Sequence, residues 1–205
     1  DPLTAFRKAN VKGTACLVQQ AVDSAVKRFV YISSVKVNGE FTDGNPFRAD
    51  DTPAPKDPYG ISKWEAEQAL RGIADKTDLE VVIIRPPLIY GPGVSANFLK
   101  LMQGIMLGVP LPFGAISNSR SMVALENLVD LIETCLSHPE AVDQTFLVSD
   151  GEDLSIKSLL QRTAVALGKP ARLIPVPISV LWAISRLFGR TDFAQRLCGS
   201  LQVDI

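Results

Sequence analysis

Asp57-Pro-Tyr-Gly-Ile-Ser-Lys-Trp-Glu65 reads as the opening of a helix. Pro58 pre-sets the start, because its fixed φ suits a first helical position where a missing N–H costs nothing. Trp64, Ala66, Ala69 and Leu70 then recur at helical spacing, which carries the helix to about Ala74. Tyr59 and Lys63 lie four residues apart and therefore emerge from one helix face. A neighbouring ammonium favours the phenolate form of a tyrosine, so the pair is suited to proton transfer near neutral pH. The same spacing also occurs as ordinary surface decoration, so the surroundings must decide between the two.

Those surroundings are strands. Lys27-Arg-Phe-Val-Tyr-Ile-Ser-Ser34 precedes the helix across a polar loop spanning 38–57, and Glu80-Val-Val-Ile-Ile-Arg85 follows it and stops at Pro86-Pro87. Both are short apolar runs suited to a sheet buried on both faces. Upstream, Leu3, Phe6, Ala9, Val11 and Leu17 carry a helical pattern to about Ala25. Helix, strand, helix, strand predicts a parallel sheet wound with helices. Beyond Gly91-Pro-Gly93 the expected elements are a helix over 96–108, an extended piece over 121–124, a helix over 126–136 and a strand over 145–149. A helix capped by Ser155 and ended at Gly168 follows, then extended chain over 172–176. Ile178–Phe188 is set as a buried amphipathic helix in preference to one lying on a membrane surface, and a last helix starts near Phe193.

Composition narrows the classes. The chain has 205 residues, 46% of them hydrophobic, and a net charge of −1. No basic run points to nucleic acid, and no apolar run is long enough to span a membrane. Cys16, Cys135 and Cys198 are odd in number and widely spaced, which suits reduced cytosolic thiols and offers no metal motif. His138, the single histidine, sits at a helix end as a cation or plain surface residue, so triads and multi-histidine metal sites are not expected. A dinucleotide-binding sheet normally opens with a Gly-rich turn receiving the pyrophosphate, and no G-x-G-x-x-G occurs here.

Four motifs in order carry a more specific signal: Asn10-Val-Lys-Gly-Thr14, then Ser33-Ser34 with Gly39, then Tyr59-x-x-x-Lys63, then Arg85-Pro-Pro-Leu-Ile-Tyr-Gly-Pro-Gly93. The series resembles the extended short-chain dehydrogenase/reductase family, and within it the nucleotide-sugar epimerases. The resemblance implies an α/β, Rossmann-like doubly wound parallel sheet whose N-terminal strands are missing, with a smaller C-terminal substrate-binding region. It divides the chain into an incomplete dinucleotide-binding part, residues 1–90 and 126–150, and a substrate-binding part, residues 91–125 and 151–205. The 205 residues would be the C-terminal two-thirds of a subunit. Alone they would neither hold NAD tightly nor turn over.

The roles implied follow the motifs. Ser34 would hydrogen-bond the substrate oxygen that changes oxidation state, Tyr59 would take or give its proton, and Lys63 would hold the nicotinamide ribose and lower the tyrosine pKa. Asn10 would lie near the cofactor, or simply bond within its helix. Ser33 and Pro86 would line the nicotinamide pocket, although Ser33 equally suits a strand-end backbone bond. On the substrate side, Arg120 would clamp a diphosphate, since a planar, permanently charged fork suits two bridged phosphates. Asn97 and Phe98 match positions touching diphosphate and uracil, and Phe113 would either stack on the base or pack in the core.

Departures from the family pattern refine the expectation. Dehydratases carry an Asp-Glu pair directly after the catalytic hydroxyl, where this chain has Val35 and Lys36. The usual tyrosine of V-Y-G is Asn38, and Leu88 replaces an asparagine that adds a polar substrate contact. The expected activity is an NAD-dependent 4-epimerase acting on a UDP-sugar, with NADP not excluded. The alternatives are a 4-keto-sugar reductase using the same residues and a non-catalytic nucleotide-sensing protein. The resemblance also implies a homodimer paired through the Tyr59 helix and the helix before the first strand. Leu17, Val18, Ala21, Ala66 and Ala69 would permit that contact or would face the sheet.

Overall fold

The computed structural model describes residues 1–93, 96–189 and 191–205, and their side chains except at 96, 97, 191–193 and 196. The chain opens with α1 (Pro2–Phe6), which passes through a π-helical turn at Arg7–Lys12 into α2 (Gly13–Asp23). Strand β1 (Arg28–Ile32), a 3-10 turn (Val35–Val37), α3 (Pro58–Ala74) and β2 (Glu80–Arg85) follow. Then come β3 (Leu88–Tyr90), α4 (Ala96–Met106), β4 (Met122–Ala124), α5 (Leu125–Ser137) and β5 (Thr145–Leu147). Helices α6 (Ile156–Ala166), α7 (Ile178–Leu187) and α8 (Thr191–Cys198) lie towards the C-terminus.

The main sheet is parallel, in the order β1-β2-β5. Because side chains alternate along a strand, central β2 feeds two cores at once. Val81 and Ile83 pack with Val18, Ala66 and Leu70 beneath α2 and α3. Val82 and Ile84 pack with Leu128 and Cys135 beneath α5. Helices thus cover both faces, which is the doubly wound arrangement the apolar strands imply. Val18 and Ala66 are spent on this core, whereas Leu17 is 56% exposed.

A second parallel pair, β3–β4, leads from the main sheet into the C-terminal region. There Ile105, Phe113, Ile116, Leu159 and Leu160 form a separate core between α4 and α6. The chain's last residues tie the regions together. Leu201 N donates to Ser119 O and Ser121 N to Leu201 O, while Thr42 N donates to Ser200 O and Asp204 N to Phe47 O. Residues 200–204 therefore run between the 119–121 segment and the long loop ahead of α3.

One expectation is reversed. Helix α7 has no buried residue, and Val180, Ile184, Leu187 and Phe188 are all exposed. His138 caps the end of α5, and its Nδ1 accepts from the Glu140 N–H at 3.3 Å. All three cysteines are free, and no helix among the described residues is long and apolar enough to cross a membrane.

Candidate functional site

Parallel pairing continues past the ends of β1 and β2. Ser33 N donates to Ile84 O at 2.7 Å and Val35 N to Pro86 O at 3.0 Å. Ser33, Ser34 and Pro86 therefore lie side by side at the carboxyl edge of the sheet, where parallel α/β sheets bind ligands. Ser34 caps the 3-10 turn, its hydroxyl accepting from Lys36 N.

Helix α3 arrives at this edge with its start well defined. Asp57 Oδ1 accepts from Gly60 N at 2.7 Å, and Pro58 occupies the first helical position. Gly60 has a steric reason to be glycine, since a Cβ there would meet Lys36 O at 2.8 Å. The loop beginning at Ser34 can thus press against the turn that carries Tyr59. Lys36 fastens the contact through ion pairs to Asp57 and, at 3.0 Å, to Glu40. Val35 is buried in the small core formed with Leu147, Leu201 and Val203. The two residues standing where dehydratases carry Asp-Glu therefore hold the loop in place.

Tyr59 and Lys63 are both half-buried. Lys63 Nζ donates to Ile32 O at 2.9 Å and lies 4.7 Å from the centre of the Tyr31 ring and 5.9 Å from that of Tyr59. Burial lowers the lysine pKa, against a smaller upward pull from Glu67. Burial and then the negative charge of Asp57 raise the pKa of Tyr59. The lowering expected from Lys63 is not seen. Burial also pushes Tyr31 up to about 12.

Asn10 lies on the π-helical turn, and such turns are frequent at functional sites. Its Nδ2 donates to Ser62 Oγ at 2.9 Å, and Ser62 Oγ donates to Tyr59 O at 2.8 Å. The asparagine is thus tied to the backbone of Tyr59 through one hydroxyl.

Ser33, at the strand end, is 4% exposed. Its hydroxyl donates to Glu67 Oε1 at 2.5 Å, and Glu67 also receives Arg85 Nε at 3.0 Å and Nη2 at 2.7 Å. Arg85 Nη1 donates to Asn38 Oδ1, and Asn38 Nδ2 donates to Arg48 O. Asn38, itself buried, accordingly braces the fold. Glu67 is fully buried and Arg85 is 2% exposed. Sequence reasoning missed this network, although a carboxylate on the core-facing side of α3, four residues after Lys63, is a signal for it.

On the substrate side, Arg120, Leu88, Phe98, Lys36 and Glu40 line a cavity of about 200 Å³, with Leu101 and Leu159 among its apolar walls. Arg120 Nη1 donates to Gly199 O at 3.0 Å. Burial lowers its pKa, with Glu40 opposing. Phe113 is not brought to this cavity. It is 8% exposed, packs in the core and borders a different hollow beneath α7. Asn97 lies outside the residues whose side chains are described. Among the described residues no cluster of His, Cys, Asp or Glu is able to hold a metal ion.

Comparison with known proteins agrees with this geometry. Residues 1–149 match the family model described as the NAD dependent epimerase/dehydratase family. The chain is 53% identical over 207 residues to a UDP-glucose 4-epimerase of Vibrio cholerae, covering all of this chain and 63% of that protein. It is 32% identical over 220 residues to N-acetyl-alpha-D-glucosaminyl-diphospho-ditrans,octacis-undecaprenol 4-epimerase of Escherichia coli O157:H7, covering 99% of this chain and 65% of that protein. The Bordetella bronchiseptica enzyme WbmG, solved with NAD and UDP, superposes with a TM-score of 0.75 at 20% identity, over all of this chain and 59% of its own. The chain thus spans somewhat under two-thirds of the length of these relatives. The sheet, the ordered motifs and the family match agree, and the chain belongs to the NAD-dependent epimerase/dehydratase family.

Proposed function

We propose that the full-length protein inverts C4 of a UDP-sugar by transient oxidation with NAD. The observation that carries this reading is the placement of Tyr59 and Lys63 on a helix face pressed against the Ser34 loop, at the carboxyl edge of the sheet. The 53% identity to the Vibrio cholerae epimerase supports it. The residues present fit the nicotinamide–ribose half of NAD. Lys63 has donors beyond the one given to Ile32, and Asn10, Tyr59 and Pro86 border the same edge. NAD would supply the hydride acceptor and donor. Tyr59 takes the proton from the C4 hydroxyl and later returns it, Ser34 holds that oxygen, and Lys63 orients the ribose. Arg120 pairs with the diphosphate, with Phe98 beside it. Ser33 acts through Glu67 and is not assigned to the cofactor.

The cavity leaves the sugar carrier open. Arg120 suits any sugar diphosphate, and the Escherichia coli relative, matching 99% of this chain, favours as a second reading a sugar joined through diphosphate to a polyprenol. A dimer paired through α2 and α3 would use exposed Leu17, since Val18 and Ala66 face the sheet.

The test is to incubate the full-length protein, without added cofactor, with UDP-glucose, UDP-N-acetylglucosamine or N-acetylglucosaminyl-diphospho-undecaprenol, and to follow the sugar by NMR. Formation of a galacto epimer establishes the activity and names the carrier. No epimer from any of the three, with NADH or NADPH oxidised by a UDP-4-keto-sugar, replaces the epimerase with a reductase.

A further inference from the structure

The outer face of α7 is a continuous apolar stripe. Val180, Ile184, Leu187 and Phe188 follow the i, i+4, i+7, i+8 spacing of one helix face, and they are 43%, 48%, 82% and 70% exposed. Ile174, just ahead of the helix, is exposed as well. Beside the stripe lies a hollow of about 520 Å³ bordered by Phe113, Val176, Leu181, Ile184 and Phe188. The inner side of α7 already packs on the C-terminal core through Leu181. Among the described residues nothing covers the stripe. Exposed apolar surface of this kind marks an interaction site.

Charge says what covers it. The chain totals 21 basic and 22 acidic residues, yet segments 91–125 and 154–191 together contain eight basic residues and no aspartate or glutamate. Lys169, Arg172 and Arg186, close to the stripe in sequence, are exposed. A symmetric contact between two copies through this region would bring two net-basic segments together. A bilayer bearing anionic headgroups meets both features, taking the apolar stripe below the headgroups and attracting the basic segments. At ten residues α7 is about 15 Å long, half of what a hydrocarbon core requires, so it would lie in the interface plane and not cross it.

We propose that α7 docks the protein on an anionic phospholipid surface. Phe113 shares its core with Ile156 and Leu159, which line the Arg120 cavity, so docking would bring that cavity close to the membrane. This assignment does not depend on the proposed reaction.

The test is co-sedimentation of the full-length protein with vesicles of phosphatidylglycerol and phosphatidylethanolamine, set against vesicles of phosphatidylcholine. Pelleting with the anionic vesicles alone is expected, and it should weaken as salt is raised. Leu187→Glu combined with Phe188→Glu should weaken binding by at least about tenfold, given what a buried Leu or Phe contributes. Combined Lys169→Glu, Arg172→Glu and Arg186→Glu should have a similar effect. Leu136→Glu, on the exposed side of α5, should bind as wild type. All these positions are exposed, and circular dichroism checks that each variant folds. The proposal is overturned if the wild type stays in the supernatant, or if the Leu187/Phe188 variant pellets like wild type. It also fails if that variant merely converts a soluble oligomer into a smaller species, because the stripe would then join copies of the chain.

Discussion

Tyr59 is held in a state that resists ionisation. Losing the proton creates a negative charge in a half-buried place beside Asp57, so burial and the aspartate both keep the phenol protonated to higher pH. As a proton acceptor it works only when ionised, so kcat/KM should rise with pH along a limb belonging to this group. Replacing Asp57 with Asn retains a helix cap and removes the opposing charge. The limb should then move to lower pH in a pH–rate series on the full-length protein, and Tyr59→Phe should cost about 10²–10⁴-fold in kcat. An unmoved limb in the Asp57→Asn protein would show that another group sets it.

At the scale of elements, the buried Glu67–Arg85 pair fastens α3 to the end of β2 and draws in Ser33 from the end of β1. Removing one charge leaves the other buried without a partner. Glu67→Gln should therefore lower the unfolding free energy by about 3–5 kcal/mol, read by urea denaturation of the full-length protein. The double replacement Glu67→Met with Arg85→Met should recover much of the loss. This pair also shows where legibility stopped. Pro58–Ala74 and Glu80–Arg85 were readable because their signals are local: a proline at a helix start, an apolar run closed by two prolines. The alliance of Glu67 with Arg85 was not, since it joins two elements and obeys no spacing rule. Strand β3 escaped for a related reason, being three residues long behind Pro86-Pro87. The exposure of α7 escaped because an apolar helix carries the same pattern whether or not something covers it. Within the site, Tyr59, Lys63, Ser34 and Arg120 stood out by motif, whereas the work of Lys36 and Gly60 shows only once the loop meets the helix.

Across the whole molecule, the sheet and the C-terminal core are separate clusters joined by few devices, and the final residues supply one of them. Leu201 and Val203 pack with Val35 and Leu147, and backbone bonds from 200–204 reach both the 119–121 segment and the loop ahead of α3. Deleting residues 200–205 from the full-length protein should release that loop. Limited proteolysis within 40–56 should then speed up severalfold while cleavage elsewhere stays unchanged. An unaltered cleavage pattern would show that Lys36 and Asn38 hold the loop without help.

The π-helical turn at Arg7–Lys12 sets a phase between the helices on either side of it. One extra residue in a turn rotates everything beyond it by about 100° relative to an unbroken α-helix. That offset lets a single rod satisfy two partners that an even helix would miss: Asn10 meets Ser62 on α3, while Val18, two turns later, meets the sheet. The irregularity thus acts as a gear tooth. Shortening the turn by one residue would make a more regular helix, and it would force a choice between the packed core and the polar tether that reaches Tyr59.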